Sequence, residues 1–70
     1  MKAKEIFELC GSIIRGGYYD YDVNGRTDDA ELLLVNAWQD ARQAIKNAVW
    51  GGKISFSTAD RIADYYDLKM

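Results

Sequence analysis

Residues 20–31 of this chain read Asp-Tyr-Asp-Val-Asn-Gly-Arg-Thr-Asp-Asp-Ala-Glu. Oxygen-bearing side chains stand at positions 1, 3, 5, 9 and 12 of that stretch, with a glycine at position 6. A hard divalent cation takes six to eight oxygens from several directions, and a twelve-residue loop with this spacing delivers them. Asp20, Asp22 and Asn24 would offer side-chain oxygens, and Arg26 its backbone carbonyl. Asp28 would bind directly or through a water, and Glu31 would close the site with both carboxylate oxygens. Gly25 permits the sharp bend, because a left-handed backbone costs glycine nothing extra. Without a cation these carboxylates, with Asp29, crowd like charge into one loop, which itself favours taking one up.

The stretch resembles the calcium loop of the EF-hand family, and also the loop of dockerin modules. The likeness covers residues 20–31 and the Leu32-Leu33 start of a following helix. It implies helix–loop–helix geometry and a structural or regulatory Ca²⁺ site. Thr27 stands where such loops carry a branched apolar residue, no second loop follows, and Gly16-Gly17 lies just upstream. The same residues have an explanation without metal. Asp28 as N-cap with Glu31 three residues on is a capping box. Asn24-Gly25 is a favoured hairpin turn. Tyr19, Tyr21 and Val23 alternate with Asp20 and Asp22, as in a short strand with one wet face.

Positioning this segment falls to helices. Ala3, Ile6, Phe7, Cys10, Ile13 and Ile14 have the three-four spacing of one helical face, with Gly16-Gly17 as its expected stop. A second helix is expected from Asp28 or Asp29 to about Trp50, with Leu34, Ala37, Trp38, Ala41, Ile45, Ala48 and Val49 on its inner stripe. Leu32, Leu33 and Val35 widen that stripe, so this end is expected to be covered on more than one side. Gly51-Gly52 ends it. Lys53 to Phe56 reads as an extended connector, and Ser57 as the N-cap of a third helix whose inner face is Ala59, Ile62, Ala63 and Tyr66. The expected fold is a single all-α domain spanning residues 1–70: a compact three-helix domain with an irregular or short hairpin-like insert between helices one and two.

Composition narrows the function. The chain is 49% hydrophobic and 29% charged, without proline, which is a globular balance. Its single cysteine, Cys10, allows no internal disulfide and reads as a buried small hydrophobe. It has no histidine, which removes the commonest general base and the usual zinc ligand. No pair of residues reads as nucleophile and base, so an enzyme is not expected. The formal net charge of −2 disfavours nucleic acid as a partner. The third helix sets Arg61 against Asp60, Asp64 and Asp67, a poor pattern for a DNA-reading helix. Arg42 and Lys46, beside Gln39 and Gln43, read as a solvated face. No run suits a membrane span or a signal peptide, so the cytoplasm is expected.

What remains is a non-catalytic binding module acting on another macromolecule, such as a protein partner or a second copy of the chain. Small accessory proteins of phages and mobile elements have this size and lack of catalytic residues. Tyr18, Tyr19 and Tyr21 are the candidate contact residues, since tyrosine brings large contact area at low entropic cost. Two alternatives stand beside this reading. One is a calcium-binding protein using Asp20, Asp22, Asn24, Arg26, Asp28 and Glu31. The other is an acidic regulator that mimics or associates with DNA.

Overall fold

The computed structural model describes residues 2–68. Helix α1 (Ala3–Val23) and helix α2 (Asp28–Trp50) lie against each other as an antiparallel hairpin, and the shorter α3 (Phe56–Tyr65) packs on one half of it. The all-α, three-helix expectation is met, and the described residues contain no strand. Tyr19, Tyr21 and Val23, which alternate like strand residues, belong to the last turns of α1.

The first helix does not stop at Gly16-Gly17; it runs on for six more residues. The reason lies on the other helix. A Cβ on Gly17 would stand 2.5 Å from the Ala37 Cβ and 3.4 Å from Leu34 Cδ1, so the bare glycine lets α2 approach closely. Two glycines inside a helix each cost about 1 kcal/mol relative to alanine, and packing of this kind overrides such a preference. The insert between the helices therefore shrinks to Asn24–Thr27.

All three helices end in the same way. The Arg26 N–H donates to the Tyr21 carbonyl at 3.0 Å and the Gly25 N–H to that of Asp22 at 3.2 Å. Lys53 with Gly52, and Leu68 with Asp67, repeat this pair of bonds at the ends of α2 and α3. This is the Schellman motif, which needs a left-handed residue just past the helix. Gly25 (φ 74°) and Gly52 (φ 71°) supply it, and in α3 Asp67 does so at φ 56°.

The starts shift slightly from expectation. Asp28 is not the N-cap of α2: Thr27 is, its hydroxyl accepting the Ala30 N–H at 3.2 Å, which leaves Asp28, Asp29 and Glu31 in the first turn. There the carboxylates face the positive end of the helix dipole. Likewise Ser55, not Ser57, caps α3 by accepting the Thr58 N–H at 3.2 Å, so Phe56 is the first helical residue rather than part of the connector.

Ile6, Cys10, Ala41, Ile45, Ala48, Ile54, Ala59, Ile62, Ala63 and Leu68 form one buried core, drawn from the first half of α1, the second half of α2, and α3 with its flanks. Cys10 sits inside it as expected, its thiol donating to the Ala41 carbonyl at 3.6 Å, and burial pushes its pKa up. The Tyr66 hydroxyl donates to the Phe7 carbonyl at 2.8 Å and ties the end of α3 to α1 across 59 residues of sequence. Tyr66→Phe should lower stability by about 1 kcal/mol, the usual net worth of such a bond. A urea melt checks this, and an unchanged midpoint would show that water replaces the bond at no loss.

Candidate functional site

Helix α3 is ten residues long, whereas α1 and α2 have 21 and 23. At 1.5 Å per residue α3 spans roughly 15 Å of a hairpin about 35 Å long. The molecule is accordingly a rod, 39 × 18 × 18 Å. Half of the hairpin has only two helices, and its buried residues (Gly17, Ala30, Leu34 and Ala37) lie in the seam between them.

On the side where α3 lies, Phe7 meets Tyr65 and Tyr66, and Gly11 faces the Tyr66 hydroxyl. The same stripe of α1 continues past α3 through Ile14, Tyr18 and Tyr21 at helical spacing. Opposite it, α2 offers Trp38 and Val35. Ile14 and Trp38 pack on the edge of the core. The Tyr18 ring stands edge-on to that of Trp38 at 6.3 Å between centroids, with Tyr18 still 47% exposed. Ile14, Tyr18 and Trp38 make a partly exposed apolar shelf at the edge of the core, and Tyr21 and Val35 lie one step further along the same helical stripes.

The shelf ends in an acidic tip. From residue 18 to residue 33 there are five carboxylates (Asp20, Asp22, Asp28, Asp29 and Glu31) and one cation, Arg26. The tip therefore carries a formal charge of −4 in a chain of −2, and the rest of the chain is positive. Arg26 lies over the Tyr21 ring at 5.9 Å, and its Nε pairs with Asp22 Oδ1 at 3.1 Å.

Of the three candidate tyrosines, Tyr18 and Tyr21 share the shelf. Tyr19 is 69% exposed and lies about 100° of helix rotation from Tyr18, away from the shelf. The six candidate metal ligands are spread over two helix ends. Asp20 and Asp22 are in the last turn of α1, Asn24 is its C-cap, Arg26 follows the left-handed glycine, and Asp28 and Glu31 are in the first turn of α2. The Asn24 amide donates to the Asp20 carbonyl at 2.7 Å. Among the described residues no group of three or more His, Cys, Asp or Glu side chains is placed to hold a metal ion.

Leu32 and Leu33, expected under cover, are exposed in this chain. At the other end of the rod Trp50 and Phe56 are 77% and 75% exposed and flank a groove of about 400 Å³ floored by Val49 and Ala59. Of this pair the sequence points to Trp50, one of the two tryptophans that with Leu32 to Val35 favour a homodimer or a docked partner, and not to Phe56, which it places in the connector. The available signal was that Trp50, one residue after Val49, is a large apolar side chain off the inner stripe. None of the described helices is long and apolar enough to cross a membrane. No protein-family model matches this chain, and neither the curated proteins nor the solved structures contain a similar one.

Proposed function

We propose that the chain is a non-catalytic protein-binding module whose shelf takes up an amphipathic, basic helix of a partner protein. The observation that carries this reading is the shortness of α3, which leaves Ile14, Tyr18, Tyr21, Val35 and Trp38 as an apolar track with no helix on it. A helix laid into such a track fills it with residues at i, i+3, i+4 and i+7. The bare length of the hairpin, roughly 20 Å, suits three to four turns, or about thirteen residues. The acidic tip selects the charge of the incoming helix and speeds its approach.

The test uses two synthetic helices with the same leucine stripe, one with lysine and one with glutamate on the other positions. Binding is followed by the fluorescence anisotropy of a dye attached to the end of each synthetic helix, a signal that does not depend on the chain's own tryptophans. The lysine helix should bind with a dissociation constant in the micromolar range, weakening as salt is raised. Trp38→Ala should weaken it at least tenfold, and Tyr19→Ser should not. Equal affinity for the glutamate helix, or indifference to Trp38→Ala, would sink the reading.

A calcium form of the tip is the competing reading, and it makes a different demand. Asp20 and Asp22 are helical, so gathering them with Asp28 and Glu31 around one ion requires the last turn of α1 to open. A ligand that binds only the native state raises its melting temperature. A rise with millimolar Ca²⁺, reversed by chelator and accompanied by loss of helical ellipticity, would favour calcium over the helix-binding reading.

A further inference from the structure

We propose that the groove between the end of α2 and the start of α3 is a homodimer interface, in which each of two copies seats Trp50 and Phe56 against the other's groove. A two-fold dimer uses one patch twice, so that patch must complement itself. This one does, in shape and in charge. It combines two protruding rings with an open apolar floor of Val49 and Ala59, so each copy offers both the filler and the space.

Its rim carries one charge of each sign, Lys46 on α2 and Asp60 on α3. Among the described residues neither has an ion-pair partner within the chain. Across a two-fold axis Lys46 of each copy faces the partner's Asp60, and the pairing occurs twice. A second copy brings the complement of both charges with the same two residues.

The size of the patch sets the strength. Two aromatic rings bring on the order of 300 Å² from each copy, against roughly 800 Å² a side for a standard stable interface. Self-association is therefore weak and reversible, with a dissociation constant on the order of 100 µM to 1 mM. The dimer leaves the shelf free, because the groove lies at the opposite end of the rod. It does not depend on what the shelf binds.

Sedimentation equilibrium of the full chain, from about 10 µM to about 1 mM, tests the proposal. The wild type should fit a monomer–dimer equilibrium. Trp50→Ala with Phe56→Ala should be monomeric throughout, with an unchanged circular dichroism spectrum because both side chains are exposed. Lys46→Glu and Asp60→Lys should each raise the dissociation constant roughly tenfold, and the two together should restore it to within about threefold of wild type. The charge pair keeps the proposal falsifiable even if the aromatic double variant loses structure. A wild type that stays monomeric, a dimer indifferent to the charge reversals, or a dimer lost only on Trp38→Ala would each overturn it.

Discussion

Gly17→Leu should lower the melting temperature by on the order of 15 °C, while Gly16→Ala, one residue earlier, should raise it by about 5 °C. The two glycines are alike in sequence and opposite in surroundings. A Cβ on Gly16 meets nothing within 4 Å, so alanine there gains helix propensity without a clash. A Cβ on Gly17 lands 2.5 Å from the Ala37 Cβ, and that neighbour is anchored to the backbone of α2. It cannot swing aside like the tip of a long side chain, so the helices must part. Overpacking of this kind costs typically 1–3 kcal/mol, and a leucine reaches the upper part of that range. Each kilocalorie moves the midpoint of a domain this small by about 4–8 °C. Thermal melts by circular dichroism decide the matter. Equal midpoints for Gly17→Leu and wild type would mean that the helices are not in close contact at this point.

Ile45→Ala should remove about 2–5 kcal/mol, the usual loss for deleting a large side chain from a core. Ile45 is fully buried at the centre of the cluster that joins all three helices. A chain of this length holds only about 3–10 kcal/mol of net stability, so this one substitution consumes a large part of it. The expected result in urea is a midpoint shifted far toward zero with an unchanged slope, because the surface exposed on unfolding stays nearly the same. Asp40→Ala, on the exposed side of the same helix, should stay within about 0.5 kcal/mol of wild type. A variant at Ile45 that melted like Asp40→Ala would show that this core is not the one that holds the fold.

The helical stripes were legible because they depend on local spacing: Leu34, Ala37, Ala41, Ile45 and Ala48 are buried as their period predicts, and so are Ala59, Ile62 and Ala63. The end of α1 was not legible, because Gly-Gly is a stop signal in isolation and a packing surface only when Ala37 stands opposite. That single misreading hid the shelf. With the helix ended at Gly16, Tyr18 and Tyr21 look like loop residues. Once it continues, they fall in line with Ile14. The oxygen spacing of residues 20–31 coincides with the chemistry of two helix ends: a left-handed glycine, a hydroxyl cap and an acidic first turn. Thr27 and Asp28, like Ser55 and Ser57, are both competent caps, and only the hydrogen bonds to Ala30 and Thr58 distinguish them.

The unequal helix lengths also divide the molecule into two levels of local stability. Amide protons of Ile45, Ala48 and Ile62 should exchange only when the three-helix core opens as a unit. Those near Val23 and Ala30 have just one helix seam to protect them and should exchange through smaller, more frequent openings. A helix bound on the shelf would merge the two levels. Its free energy would then be read as slowed exchange at the tip, far from the residues that hold the fold together.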